Sequence, residues 1–216
     1  MSTIHNERIL FIGDSITDCN RNRSEREHDS DRLGHGYVSF IHALLQATYP
    51  SKHYKVTNKG IGGNTIRDLQ ERWQRDVLTL KPDLLFIMIG INDVWRQFDQ
   101  PSDFAQHVYP DEFTGTYRQL VEQSSAKKIC LLSPFYIQSE KGDPMRKMMD
   151  HYGDLTKSVA ETCHVSFIDL QKQTFDPLMQ GLDDIEIAQD RIHPSSVGHM
   201  AIARTILKHL DFKWDN

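Results

Sequence analysis

A serine hydroxyl attacks a carbonyl only when a base lies within hydrogen-bond reach and a carboxylate orients that base. This chain carries a residue of each type. Phe11-Ile12-Gly13-Asp14-Ser15-Ile16-Thr17 sets a serine just past a short apolar run, where open α/β sheets bind their ligands. Far along the chain, Asp190-Arg191-Ile192-His193-Pro194 sets an acid three residues before a histidine, a spacing that one turn can carry. Ser15 as nucleophile, His193 as general base and Asp190 as its orienting acid make a complete triad by type. Each piece alone has a plainer reading: Ser15 as a helix N-cap, and the acid–histidine pair as a surface turn. Thr17 stands where the nucleophile elbow has its second glycine, so the α/β-hydrolase fold is not indicated.

Acyl transfer also needs donors aimed at the developing oxyanion, each worth about 3 kcal/mol of barrier. Lys59-Gly60-Ile61-Gly62-Gly63-Asn64-Thr65 is glycine-rich, so a backbone N–H can approach a substrate closely there. Gly90-Ile91-Asn92-Asp93 offers the Asn92 amide as a neutral donor. Tight strand-to-helix turns and a helix cap are the bland alternatives. Taken together, separate strand ends deliver a nucleophile, oxyanion donors and an acid–base pair, the full set for serine ester hydrolysis.

The elements that must hold these groups read as an α/β domain with a mainly parallel sheet. Strands are expected at Arg8–Ile12, Tyr54–Asn58, Leu84–Ile89, Lys128–Leu132 and Val165–Leu170. A first helix uses Tyr37, Ile41, Leu44 and Leu45 as its apolar face, and a second uses Ile66, Leu69, Trp73, Val77 and Leu80. Thr65 and Asp68 have capping-box spacing, with Asp in place of the usual Glu or Gln, and Pro82 closes the second helix. Pro110 opens a helix with Phe113, Tyr117 and Leu120, and Asp143-Pro144 opens one whose methionines 145, 148 and 149 read as core filler. A last helix from near Ser195 is expected to pack Val197, Met200, Ala201 and Leu207 on the sheet. Two stretches break the pattern: the charged run Asn20–Arg32, a solvated loop or a lining of the substrate mouth, and the aromatic, polar run Val94–Tyr109.

Composition narrows the function. With 216 residues, one domain over 1–216 is expected to bury its own core, and 38% hydrophobic residues argue against disorder. A net charge of -5 offers no general attraction for nucleic acid or anionic membrane. The 3 cysteines, Cys19, Cys130 and Cys163, lack metal-ligand spacing and make a disulfide framework improbable. The apolar run before Gly13 is too short for a signal-peptide core, and Leu84–Ile89 is too short to span a bilayer, so a cytoplasmic protein is expected.

The Gly-Asp-Ser, glycine, Gly-x-Asn-Asp and Asp-x-x-His blocks, all in order, resemble the SGNH (GDSL-like) hydrolases. The resemblance implies a flavodoxin-like three-layer α/β/α sandwich with a five-stranded sheet. It implies Ser15 as nucleophile and first oxyanion donor, Gly63 as the second (Gly62 if the block shifts by one), Asn92 as the third, and Asp190 and His193 completing the triad. Flanking segments, among them Asn58–Leu69, Ile87–Gln97 and Asp190–His199, resemble the intracellular acetylxylan esterases of bacteria. That branch implies removal of acetyl groups from xylo-oligosaccharides through an acetyl-serine, with no metal or organic cofactor. Asp14, Trp95 and Arg96 are the candidate substrate contacts, Trp95 being equally readable as core, and Trp214 either covers a subunit partner in a homo-oligomer or closes the core. Three rivals remain at this stage. They are a lysophospholipase, thioesterase or platelet-activating-factor-type acetylhydrolase on the same site; a metallohydrolase using Asp14, Asp93, Asp190 and His193; and a non-catalytic carbohydrate-binding protein.

Overall fold

The computed structural model describes residues 7–23 and 30–214. Strands β1 (Arg8–Gly13), β2 (Lys55–Gly60), β3 (Leu84–Met88), β4 (Lys128–Leu132) and β5 (Ser166–Ile168) pair in parallel in the order β2-β1-β3-β4-β5. The larger helices are α2 (Tyr37–Thr48), α3 (Ile66–Trp73), α4 (Ile91–Asp99), α5 (Pro110–Gln123), α6 (Pro144–Thr162) and α9 (Ser196–His209). Among the described residues there are also short α-helices α1 (Ser15–Asp18), α7 (Asp176–Leu178) and α8 (Asp184–Ile187). Strand order reverses at β1, so right-handed crossovers carry α2 to one face and α3, α5 and α6 to the other. α2 packs on α9, while α3, α5 and α6 pack in succession, giving three layers.

The apolar runs explain the sheet. All five residues of β3 are buried, as a strand covered on both faces requires. On one face Phe11 stacks on Phe86 with ring centroids 4.8 Å apart, and Tyr37 of α2 meets Phe11 edge-on at 5.6 Å. On the other, Phe113 of α5 packs on Tyr152 of α6 at 5.0 Å, and the Tyr117 hydroxyl donates to the Ile87 carbonyl at 3.3 Å. Register makes the carboxyl ends level: Gly60 lies beside Gly13, Gly13 beside Met88, Met88 beside Leu132 and Leu132 beside Ile168. Every loop that leaves this edge starts from the same height.

Several expectations need correction. In α9 the buried positions are Gly198, His199, Ile202, Ala203, Ile206 and Leu207, whereas Val197 and Met200 are 48% and 38% exposed. Pairs spaced four apart from 198 and 199 put 197 and 200 on the flanks of the helix. α3 runs on into a π-helical turn, Gln74–Leu78, which leaves Leu80 in the turn beyond it and 37% exposed. The aromatic, polar run from Val94 belongs in its first part to α4, which buries Ile91, Asn92, Asp93 and Val94. Trp214 packs edge-on against Phe212 at 4.8 Å and keeps half its surface exposed. The capping box is present: Thr65 and Asp68 satisfy each other at the start of α3.

The Phe11–Phe86 stack couples the two strands at the point where the order reverses. Phe86→Ala should cost about 3–5 kcal/mol of unfolding free energy, the range for truncating a buried aromatic. Urea titration measures it, and a loss under about 1 kcal/mol contradicts the central role of this stack.

Candidate active site

β1 ends at Gly13, and the chain turns at once into α1 with Asp14 as N-cap, its Oδ1 accepting the Ile16 N–H at 3.0 Å. Ser15 is therefore the first residue of a helix, where backbone N–H groups have no intrahelical partner. At the other end of the chain, the segment before α9 folds onto Asp190. Its Oδ1 accepts the N–H groups of Ile192 at 3.0 Å and His193 at 2.8 Å, and Arg191 between them is left-handed at φ 64°. The His193 Nδ1–H donates to Asp190 Oδ2 at 2.6 Å, since a carboxylate can only accept. Nε2 of the neutral ring is then the acceptor, and Ser15 Oγ donates to it at 2.8 Å. Burial works against the ionised Asp190, but the hydrogen bonds from His193 and Ile192 outweigh it and hold the carboxyl below its usual range.

The glycine loop stands beside this line. Gly60 closes β2 so tightly over α1 that a Cβ there would stand 2.1 Å from the Asp18 nitrogen. Gly62 N–H donates to Asp18 Oδ2 at 3.2 Å, so that donor is engaged. Gly63 follows in the left-handed region at φ 81°, with open space around it. Asn92, near the start of α4, is buried, and its amide donates to the Asn64 carbonyl at 2.9 Å. An amide nitrogen carries two N–H groups, so one remains.

A cleft of about 830 Å³ opens beside Ser15 and His193, walled by Ile16, Asp18, Cys19, Arg21 and Pro194. Of the charged run Asn20–Arg32, residues 24–29 lie outside the described residues, while Asn20, Arg21 and Arg23 line this cleft. Trp95 meets the His193 ring edge-on at 6.3 Å. Arg96 turns back, pairing with Asp99 at 2.6 Å and lying 5.3 Å over the Trp95 ring.

Asp14 is a correction. It is 1% exposed and committed to its own helix cap, so it cannot touch a substrate in the cleft. Asp93 is likewise buried at 0% exposure, and its Oδ1 accepts the Ile66 N–H that opens α3 at 3.0 Å. The metal-ligand set Asp14, Asp93, Asp190 and His193 is thus not assembled: among the described residues no three such side chains stand together to hold an ion. Sequence reasoning missed Asp18, Arg72 and His199. His199 has its ring held between Cys19 Sγ at 3.4 Å and the Tyr37 N–H at 3.3 Å. Burial lowers its pKa to about 4, so it stays neutral beside the catalytic line. Only the folded chain reveals what these three touch, since their partners lie far from them in the sequence.

A Ser–His–Asp line at the carboxyl edge of this parallel sheet, at its switch point, defines a serine hydrolase on an α/β/α sandwich. The chain belongs to the GDSL-like lipase/acylhydrolase family, whose model matches residues 11–201, and is a carboxylic ester hydrolase. An acetylxylan esterase of Geobacillus stearothermophilus is 49% identical over 210 residues, covering 96% of this chain and 95% of the relative. The crystal structure of Axe2, an acetylxylan esterase from the same organism, covers 99% of each chain at 48% identity with a TM-score of 0.93. Three further structures are catalytic mutants of Axe2, in which a serine, an aspartate and a histidine are each replaced by alanine. An alpha/beta hydrolase from the metagenome of Lake Arreo is 40% identical, covers 98% of this chain and 99% of its own, and has a TM-score of 0.94.

Burial raises the carboxyls of both Asp14 and Asp93 to about 7, Asp93 adding to the effect on Asp14. Between the ordinary value of 3.8 and about 7 the folded chain holds protons that the unfolded chain has lost. Stability from these groups is therefore complete below that window and falls as pH rises through it. Asp93→Asn, which keeps the Ile66 acceptor, should flatten the decline in melting temperature between about pH 4 and 8. Parallel declines in wild type and variant contradict this assignment.

Proposed function

We propose that this esterase removes acetyl groups from carbohydrate, acetylated xylo-oligosaccharides being the substrate, with Ser15 as nucleophile, His193 as base and Asp190 as its orienting acid. The observation that carries the reading is the continuous line from Ser15 Oγ through the His193 ring to Asp190, at 2.8 and 2.6 Å. The Geobacillus relatives described as acetylxylan esterases support the substrate class.

In the first half-reaction His193 Nε2 takes the Ser15 proton as Oγ bonds to the acetyl carbon. The Ser15 and Gly63 N–H groups and the free Asn92 amide hydrogen hold the oxyanion. The protonated ring returns its proton to the sugar oxygen as the C–O bond breaks, leaving acetyl-Ser15. Water, deprotonated by the same nitrogen, then attacks the acetyl group, and the proton goes back to Ser15 Oγ as acetate leaves. Asp190 stays ionised throughout and stabilises the transient imidazolium. Trp95 lies edge-on to the His193 ring with the Arg96 guanidinium over its own ring, and both are kept in this reading as candidate contacts for the sugar. No metal or organic cofactor enters the cycle.

The same reading has residues 1–216 acting as one domain in the cytoplasm, on a small-molecule substrate without nucleic acid or membrane, with a homo-oligomer as its assembled form. The three cysteines are free, as a reducing compartment would leave them, and among the described residues no helix is long and apolar enough to cross a membrane.

Acetate release from acetylated xylo-oligosaccharides, measured beside acetyl and octanoyl aryl esters, tests the substrate. Ser15-dependent sugar deacetylation with little octanoyl turnover is expected; preference for the octanoyl ester moves the enzyme to lipid or thioester substrates. Asn92→Ala should lower kcat by about 10²–10³, the cost of losing one oxyanion donor. An unchanged kcat removes Asn92 from the hole.

A further inference from the structure

Arg72, on the last turn of α3, is a buried cation at 7% exposure. Its guanidinium makes four short contacts. Nε donates to Asn64 Oδ1 at 2.7 Å, Nη1 to the Lys59 carbonyl at 2.8 Å and to Asp76 at 3.1 Å, and Nη2 to the Gly13 carbonyl at 2.9 Å. Pairing with Asp76 alone does not account for this pattern. Asp76 is already served by Lys59 at 3.4 Å and Arg75 at 2.9 Å, and the Asp76 contact is the longest of the four that Arg72 makes.

The other three contacts share a geometry. Lys59 and Asn64 bracket the glycine loop that holds Gly62 and Gly63, and Gly13 is the last strand residue before Asp14 and Ser15. One rigid fork therefore grips both sides of the glycine loop and the end of the nucleophile strand. Asn64 is itself the node to which the Asn92 amide is bonded through its carbonyl. Resting on the assignment of the Ser15 and Gly63 N–H groups and the Asn92 amide as oxyanion donors, we propose that Arg72 is the positioning residue that sets their mutual spacing. Lysine cannot replace it, because a single ammonium does not reach three acceptors in fixed directions.

The test compares Arg72→Lys, Asn64→Ala and Asn92→Ala in the whole chain. Asn64→Ala keeps the backbone carbonyl that Asn92 uses and removes the arginine's hold on the loop, without stranding a buried charge. The readouts are kcat and KM on an acetyl aryl ester, the melting temperature, and affinity for methylboronic acid, which adds to the serine hydroxyl as a tetrahedral anion. Arg72→Lys should lower kcat by about a hundredfold, the scale of a displacement near 1 Å. KM should hold, and boronate affinity should fall in parallel with kcat; Asn64→Ala should do the same to a smaller degree. A lowered melting temperature with wild-type kcat and boronate affinity in both variants makes Arg72 structural only and overturns the proposal. If Arg72→Lys does not fold, Asn64→Ala decides on the same terms. A normal kcat in Asn92→Ala instead overturns the oxyanion assignment and this proposal with it, whereas a slow Asn92→Ala beside normal Asn64→Ala and Arg72→Lys overturns the role of Arg72 alone.

Discussion

The hydrogen bond from Ser15 Oγ to His193 Nε2 joins residues 178 positions apart, and the fold exists in this form to keep it at 2.8 Å. Two geometrical conditions maintain it. The parallel sheet ends level across all five strands, so the turn after β1 and the loops after β2 and β3 open at one height. α9 then packs against α2, which brings the turn before it, with Asp190 and His193, over the end of β1. Neither condition is local, which is why the reactive groups are spread from residue 15 to residue 193.

Charge is distributed with the same economy. Asp190 and His193 sit at the rim with about half of each side chain exposed, where water can reach the imidazole. Asp14 and Asp93, by contrast, are sealed in, and one carboxyl oxygen of each accepts an N–H in the first turn of α1 or α3. These are acids of the signature blocks, yet their work is to hold the helix starts from which Ser15 and the glycine loop are presented. Asp18 holds the loop from the cleft side through Gly62, and Arg72 holds it from the core side.

Much of this was legible in the amino-acid order. The apolar run Lys128–Leu132 coincides with β4, and the runs for the other strands match theirs to within two residues at either end, because apolar runs bounded by turn residues are a strong signal in a sheet covered on both faces. The Ser15, Asp190 and His193 side chains come together as their types required. Legibility ended where packing chooses among equivalent patterns. Val197 and Met200 are apolar, as Ile202 and Ile206 are, and the orientation of α9 on the sheet decides which of them is buried. α4 hid because only two of its four buried residues, Ile91 and Val94, are apolar, the other two being Asn92 and Asp93. Asp14 looked like a substrate contact because a carboxylate next to a nucleophile has the right chemistry, and only the turn of α1 shows it facing inward.

A covalent acetyl group on Ser15 is the intermediate on which the proposed catalytic cycle stands. Mixing the enzyme with an acetyl aryl ester, quenching in acid during the first turnovers and mapping the modified peptide by mass spectrometry tests it directly. Acetyl on Ser15, formed in a burst and absent in His193→Ala, is the expected result. Acetyl on Cys19, whose thiol lines the same cleft, or turnover with no acyl-enzyme at all, contradicts it.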